Sequence, residues 1–254
     1  MGYLKEKYVR EYFLGSIDKE TGKAYGVDGF KSFKRGLIDD RYAKFLRNIN
    51  LKNKVILDIG CGRGEVISYC AKNGCKKAVG IDFSREGLDI AREVNRDAPG
   101  VELIEMEAKD MEFKDEFDVV FLLDVIEHIP DEEMRLVYPK VYAALKDSGM
   151  VVLNTPIFNS SDDIDETNYM SPVKGMHCNK QTIEKLRADL KKNKFRQYAL
   201  YVWGKSQNIS LPIFLYVFKQ NLDVFKLMFL YWMSLPGKAF SRAAKKFLNY
   251  RCRT

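Results

Sequence analysis

Cysteine pairs, an apolar leader and a long apolar run are all missing from this sequence. Its five cysteines are odd in number and none has CxxC spacing, so we expect reduced thiols rather than a disulfide framework or a zinc site. The first residues are polar and hold no signal-peptide core, and Glu6 stands where a myristoylation motif needs serine or threonine. These absences predict a cytoplasmic protein.

Acidic residues are absent from the C-terminal end, whereas the rest of the chain is nearly neutral. The segment from Lys238 to Thr254 holds six basic residues of a chain whose net charge is +7. The body therefore has no basic stripe along which a nucleic acid could bind, and we do not expect nucleic acid as a partner.

The apolar runs near the C-terminus are too short to cross a membrane. Residues 209–218 and 224–235 are aliphatic and aromatic, but polar and charged residues interrupt them before the roughly 20 residues that a span requires. Three interpretations of 209–254 follow: it packs on the core or forms a homodimer interface, it binds an anionic membrane surface, or it covers an apolar acceptor. The second would place the protein peripherally on the inner face of a membrane.

Short apolar runs alternate with segments of helical periodicity through the middle of the chain. They predict strands over 55–59, 78–82, 101–106, 117–123 and 150–154, and helices over 64–73, 84–95, 131–146 and 179–193. This alternation is typical of an α/β, Rossmann-like doubly wound sheet, which binds ligands at the carboxyl ends of its strands. The chain divides into an N-terminal helical cap (1–50), a central domain (51–204) and a C-terminal hydrophobic and basic extension (205–254). A helix over 34–49 within the cap either packs on the core or forms a lid over a cofactor.

A glycine-rich turn follows the first of these strands. The strand ends at Asp58, the glycines have GxGxG spacing, and Glu65 stands where a dinucleotide fingerprint needs its third glycine. Asp58 would repel a pyrophosphate but attract the ammonium of a methionine moiety. Asp82 ends the next strand, 22 residues beyond Gly60, where a carboxylate accepts ribose hydroxyls, and Phe83 could lie against an adenine ring.

The motifs DIGCGRG, GIDFS, DVVFLLDVIEHI and LKDSGMVVLNTP occur in this order. Together they resemble class I S-adenosylmethionine (SAM)-dependent methyltransferases over about residues 50–200. The resemblance implies a mostly parallel sheet of seven strands and SAM as cofactor. It also implies that Glu107 and Ala108 bind adenine, although aspartate is commoner at position 107. The implied cofactor-binding residues are Asp58, Gly60, Cys61, Gly62, Gly64, Asp82, Phe83, Glu107, Ala108 and Leu123.

Acids and histidines cluster after the fourth strand, where methyl transfer would occur. Asp124, Glu127 and His128 share a face of one helical turn, and His177 is the second of only two histidines. We predict catalytic roles for Asp124, His128 and His177, because a hydroxyl acceptor must lose a proton. The pattern resembles ubiquinone-pathway O-methyltransferases and also small-RNA 3′-end methyltransferases, in which such residues hold a divalent metal.

Three roles stay open for this cluster. Asp124, Glu127, His128 and His177 could bind Mg²⁺ or Mn²⁺, a histidine could act as a metal-free acid or base, or the cluster could only position other groups. The sequence predicts O-methylation of a small molecule or a glycan, with a lipid-linked acceptor included. The alternatives are RNA ribose methylation and a catalytically inactive SAM-binding partner subunit.

Overall fold

The apolar runs of the sequence form the strands of one sheet in the computed structural model, which describes residues 5–14, 42, 46–47, 49–158, 177–195, 197–202 and 210–219. The strands are β1 (Val55–Ile59), β2 (Lys77–Asp82), β3 (Val101–Glu105), β4 (Phe117–Leu123), β5 (Leu145–Phe158), β6 (Gln181–Thr182), β7 (Gln197–Val202) and β8 (Ser210–Phe218). The α-helices are α1 (Arg10–Leu14), α2 (Glu65–Lys72), α3 (Arg85–Val94), α4 (Asp131–Ala144) and α5 (Ile183–Lys192). Short 3-10 helices cover Lys5–Lys7, Ala108–Asp110 and Ile126–His128.

The strand order is β3-β2-β1-β4-β5-β8-β7, with β6 paired to β5 beside this path. Strands β1 to β6 run parallel, whereas β8 is antiparallel to both β5 and β7. The predicted Rossmann-like, mostly parallel sheet is therefore confirmed. The predicted count of seven strands is not confirmed. The described sheet holds six parallel strands, β1 to β6, together with β7 and β8, which are antiparallel to each other.

Alternating residues of each central strand build two separate cores, one on each face of the sheet. In β1, Ile56 joins one cluster and Leu57 joins the other, as a period of two requires. Helices α2 and α3 cover the face of Ile56, and helices α4 and α5 cover the opposite face. This double coverage explains why β4 is apolar at every position but Asp118.

Asp118 joins the amino ends of three strands. Its carboxylate accepts hydrogen bonds from the Val55 N–H at 2.9 Å, from the Lys146 ammonium at 2.9 Å and from the Lys54 ammonium at 3.3 Å. Burial alone would raise the pKa of Asp118, but these donors outweigh it and lower the pKa. The one polar residue of β4 therefore links β1, β4 and β5 at their amino ends.

The predicted boundary after residue 204 falls within the sheet, because Ser210–Phe218 is strand β8 between β5 and β7. The aromatic-aliphatic run of residues 210–218 therefore pairs as a strand along β5. Most of the helix predicted over 34–49 lies outside the described residues, although Leu46 is buried in the core.

No helix within the described parts of the chain is long and apolar enough to cross a membrane. The basic tail from Lys238 to Thr254 lies outside these parts. Its binding to an anionic membrane surface stays a prediction.

We predict that Asp118→Ala lowers the free energy of unfolding by about 1–2 kcal/mol, since it leaves the partly buried Val55 N–H without its acceptor. Asp118→Asn should lose less, because its amide oxygen still accepts that bond. The depressed pKa means that this stability is present above the unfolded pKa and is lost as pH falls through the folded pKa. Urea unfolding at pH 7 measures the effect of the variants, and its repetition at about pH 2 to 3, below the ordinary pKa of an aspartate, measures the effect of pH.

The control is Asp89→Ala, which removes an exposed pair with Arg92. It should change stability by no more than about 0.5 kcal/mol. An equal loss in Asp89→Ala and Asp118→Ala would contradict the structural role of Asp118.

Candidate active site

A cavity opens where the strand order reverses, between the carboxyl ends of β1 and β4. It has a volume of about 260 Å³, and residues that follow β1, β2, β3 and β4 line it. At such a reversal, the loops that follow two neighbouring strands lead to opposite faces of the sheet. A crevice therefore forms between these loops.

The glycine turn after β1 forms the floor of this cavity. The Gly60 and Cys61 N–H groups both donate to the Ile81 carbonyl at the end of β2, at 2.8 and 3.0 Å. Gly60 has a φ of +71°, and a Cβ atom there would lie 2.6 Å from Val125 Cγ2. Position 60 therefore excludes a side chain for reasons of both conformation and space.

Two buried carboxylates, Asp58 and Asp82, face the cavity from the ends of β1 and β2. Their exposed fractions are 3% and 7%. Asp82 accepts hydrogen bonds from the Gly62 and Ser84 N–H groups, each at 2.8 Å. The two bonds reach different carboxylate oxygens and so fix the orientation of the carboxylate. The Phe83 N–H also donates to this carboxylate, and since a carboxylate has about four lone-pair sites, Asp82 can still accept a hydroxyl donor.

Burial raises the pKa of both carboxyls. The pKa of Asp82 rises to about 6, although the Ser84 and Gly62 N–H groups partly offset the effect of burial. The pKa of Asp58 rises well above its ordinary value because of burial and, second, the charge of Asp82. The cavity is therefore built for a ligand that brings positive charge or hydroxyl donors to these two groups.

The N-terminal segment Lys5–Leu14 lies over the same cavity. Tyr8, Tyr12 and Phe13 line it, and the three rings pack on one another with centroids 5.0 to 6.4 Å apart. The Ser84 hydroxyl donates to the Tyr8 carbonyl at 3.0 Å, and Arg63 donates to the Phe13 carbonyl at 2.6 Å. These contacts place the aromatic segment directly above the glycine turn, so the described part of the cap acts as a lid.

A second group of polar side chains follows β4. Asp124 has a φ of +52°, which is strained for a residue other than glycine, and its carboxylate accepts the Tyr42 hydroxyl at 2.5 Å. Four residues on, the Tyr8 hydroxyl lies 2.8 Å from His128 Nδ1. Both groups line the cavity, and both contact a tyrosine from the first 50 residues.

His177 and Glu127 lie behind His128. The two imidazole centroids are 4.6 Å apart with the rings at 78°, and the Thr155 hydroxyl donates to the buried Glu127 carboxylate at 3.0 Å. Burial, and then the proximity of His128, lower the pKa of His177 to about 3, so this imidazole is neutral at physiological pH. The ligand atoms of Glu127, His128 and His177 lie within 4.8 Å of one another. Asp124 is not part of that group, so the structure assembles three of the four predicted metal ligands.

The structure brings most of the predicted site residues to the cavity. Those that line it are Asp58, Gly60, Cys61, Gly62, Asp82, Phe83, Glu107, Ala108, Leu123, Asp124 and His128. Gly64, Glu127 and His177 do not line it. Gly64 instead allows α2 to approach α3, because a Cβ atom there would lie 2.8 Å from Asn95 Nδ2 and 3.0 Å from Ala91 Cβ.

Two predicted adenine-side residues already have partners in the lid. Lys5 forms a short contact with Glu107, and Lys109 lies 3.1 Å from the other Glu107 oxygen. Burial would raise the pKa of Glu107, but these two lysines lower it. The ring of Phe83 meets Tyr8 edge-on at 5.0 Å. A bound adenine would therefore share both side chains with the lid.

Sequence reasoning missed the lid residues that complete the site. These residues are the aromatic side chains Tyr8, Tyr12, Phe13 and Tyr42. No spacing in the sequence relates them to the glycine turn. The one available signal was an apolar, aromatic N-terminus ahead of a cofactor motif, which does not identify individual contacts.

Comparison with known proteins agrees with this geometry. Residues 56–149 match a family model described as a methyltransferase domain. A ubiquinone biosynthesis O-methyltransferase of Hydrogenovibrio crunogenus is 32% identical over 109 residues, which are 42% of this chain and 44% of that protein. The chain spans about half the length of the curated relatives that it matches.

Solved structures share the fold at lower identity. A SAM-dependent methyltransferase of Mesorhizobium loti matches with a TM-score of 0.57 at 16% identity, over 69% of this chain and 96% of that chain. Magnesium protoporphyrin IX methyltransferase of Synechocystis, solved with bound SAM, matches with a TM-score of 0.54 at 18% identity, over 81% and 88% of the two chains.

Residues 56–149 are therefore similar to a methyltransferase domain, and the sheet that contains them has the fold of SAM-dependent methyltransferases of known structure. The central part of the chain is similar to ubiquinone biosynthesis O-methyltransferases.

We predict that SAM affinity falls as pH drops below about 6, because ribose hydroxyls donate to the ionised form of Asp82. Protonation of the carboxyl competes with that interaction, so affinity should fall up to tenfold per pH unit below 6 and stay constant above pH 7. Isothermal titration calorimetry from pH 5 to pH 8 measures the dependence.

Asp82→Asn should bind SAM weakly at every pH. The matched control, Asp97→Asn, changes an exposed residue that does not line the cavity and should keep the wild-type profile. An unchanged pH profile in Asp82→Asn would show that another group controls binding.

Proposed function

We propose that this chain binds SAM in the cavity and transfers its methyl group to the hydroxyl oxygen of a small acceptor. The observation that carries the proposal is one cavity lined by two buried carboxylates, Asp58 and Asp82, and by His128. The carboxylates, which we call the cofactor half, suit a cationic nucleoside. His128, in what we call the acceptor half, offers an imidazole for the proton of a hydroxyl.

The cofactor half of the cavity fits the chemistry of SAM group by group. Asp58 attracts the ammonium of the methionine moiety, and Asp82 accepts the ribose hydroxyls. The Ala108 backbone and the Phe83 ring lie on the adenine side. When bound, SAM supplies an electrophilic methyl group on a sulfonium centre.

The acceptor half offers a base and a means of excluding water. His128 accepts the proton that a hydroxyl loses during methyl transfer, and its ring is held by Tyr8. The aromatic lid covers the reacting centre and removes water that would compete with the acceptor. The name of the Hydrogenovibrio relative, an O-methyltransferase, supports an oxygen acceptor.

The charges around the cavity favour a small acceptor over RNA. The two cations that line it, Arg63 and Lys109, are paired with carboxylates: Arg63 with Glu65 at 2.8 Å, and Lys109 with Glu107 and Glu133 at 3.1 and 3.0 Å. Paired cations add little net positive potential for a phosphate backbone. A glycan or a lipid-linked molecule that presents one hydroxyl to the cavity remains within the proposal.

The test is incubation of the pure protein with methyl-labelled SAM and a cell extract, followed by separation into small-molecule, lipid and RNA fractions. We expect label in the small-molecule or lipid fraction, in a product that resists mild base as an ether does. Label confined to RNA would contradict the proposal, as would an absence of transfer from a protein that binds SAM.

Variants of the two halves should separate binding from chemistry. His128→Gln should lower turnover by about 10²- to 10⁴-fold, the usual contribution of a general base, and leave SAM affinity unchanged. Asp82→Asn should instead weaken SAM binding. If SAM affinity falls in step with turnover in His128→Gln, then His128 supports the fold and is not the base.

A divalent metal is a second candidate for the acceptor half, favoured by the convergence of Glu127, His128 and His177. One carboxylate and two imidazoles are a donor set that suits Mn²⁺ better than Mg²⁺. A bound metal would polarise the acceptor oxygen. Titration of the SAM-bound protein with Mn²⁺ should then show one site that His177→Gln removes, and exhaustive EDTA treatment should abolish transfer. Full activity after EDTA would exclude this candidate and retain base catalysis.

A further inference from the structure

Tyr8 connects the lid to the catalytic half of the site. Its carbonyl accepts the Ser84 hydroxyl, its ring meets Phe83 edge-on, and its own hydroxyl lies 2.8 Å from His128 Nδ1. Phe83 and Ser84 directly follow Asp82, which ends β2 on the cofactor side. One residue therefore contacts both the loop that faces the ribose and the imidazole that faces the acceptor.

The hydrogen bond to Nδ1 has a chemical consequence for His128. A neutral imidazole carries one proton, so one ring nitrogen donates and the other accepts. The partner of one nitrogen decides which tautomer is present and therefore what the other nitrogen can do. With Nδ1 engaged by Tyr8, chemistry at this ring proceeds through Nε2. Base catalysis requires an accepting Nε2, which in turn requires a proton on Nδ1.

We infer that Tyr8 is a positioning residue whose hydroxyl oxygen accepts a hydrogen bond from the Nδ1–H of His128. This bond keeps Nε2 unprotonated, and unprotonated Nε2 is the atom that removes the proton of the acceptor. This inference rests on the proposed function and assigns a role in it to the N-terminal segment. The active site is complete only when Lys5–Leu14 lies over the cavity, because Tyr8 reaches His128 from that segment.

The lid contacts connect this step to cofactor binding. Arg63 in the glycine turn holds the Phe13 carbonyl, and Lys5 contacts Glu107 on the adenine side. A cofactor that contacts the glycine turn and the loop after β3 therefore touches the two points that anchor the segment that carries Tyr8.

The chain has only two histidines, so the imidazoles can be observed individually. The test is a long-range ¹H–¹⁵N spectrum of histidine-labelled protein saturated with S-adenosylhomocysteine, with His177→Gln used for assignment. The wild-type His128 should show a protonated Nδ1 and an unprotonated Nε2. Tyr8→Phe should shift this ring toward the opposite tautomer.

Kinetics should agree with the spectrum. Tyr8→Phe should lower kcat at least tenfold in the labelled-SAM assay and change the KM for SAM less than threefold, because it removes a hydroxyl and keeps the ring. The matched control is Tyr69→Phe, which loses a hydroxyl on α2 outside the cavity and should leave both the imidazole spectrum and kcat as in the wild type.

The outcomes separate this inference from the proposed function. A proton on Nε2 of His128 in the folded wild type overturns it without any variant, so the test survives if Tyr8→Phe fails to fold. An unchanged His128 spectrum and kcat in a folded Tyr8→Phe also overturns it, while methyl transfer by the wild type leaves the proposed function intact. If the wild type binds SAM and transfers no methyl group, the proposed function fails, and the spectrum still decides whether Tyr8 sets the tautomer.

Discussion

Desolvation of two carboxylates at the ends of adjacent parallel strands is the constraint on which the site depends. Strands β1 and β2 pair in a register that sets Asp58 opposite Gly80, so Asp82 extends beyond the last residue of β1. A rise in the pKa of Asp82 from 3.8 to about 6 corresponds to a cost on the order of 3 kcal/mol for its ionised form in the empty protein. A cationic ligand with hydroxyl donors removes this cost, and the binding preference of the cavity follows.

The surrounding structure keeps these carboxylates buried yet reachable. The glycine turn bends tightly enough to donate the Gly62 N–H to Asp82, and Val125 after β4 closes the floor beneath Gly60. The rings of Tyr8, Tyr12 and Phe13 in the lid line the same cavity as Asp58 and Asp82. Of the basic lid residues, Lys5 pairs with Glu107 and Arg10 pairs with Glu93.

That Asp58, Gly60, Gly62 and Asp82 meet at one cavity could be predicted from the sequence, because the determinants are local. These residues lie within one β–α–β unit, whose geometry follows from strand length, turn conformation and the right-handed crossover. Within the same unit, Ser84 caps α3 by accepting a hydrogen bond from the Gly87 N–H. The positions of Tyr8 and Tyr42 depend on contacts across 120 and 82 residues, which no local pattern encodes. For residues 209–218 the sequence left core packing and surface binding both open, because a strand that completes a sheet has the same composition as a segment that binds a surface.

The family match covers the cofactor half of the cavity better than the acceptor half. The family match covers residues 56–149, which contain the carboxylates and His128 but neither the lid nor His177. Of the groups around His128, Tyr8 and His177 therefore come from parts of the chain outside that match. One fold can carry different sites in this way, so the match does not define the acceptor.

The central claim is that the buried pair Asp58 and Asp82 selects a cationic nucleoside over a dinucleotide. Calorimetric titration of the wild type with SAM and with NAD at pH 7.5, in parallel with the Asp58→Asn variant, tests it most directly. The account predicts that SAM binds at least a hundredfold more tightly than NAD, and that Asp58→Asn loses most of this preference by weakening SAM binding. Equal affinity of the wild type for the two ligands, or an unchanged preference in Asp58→Asn, would contradict it.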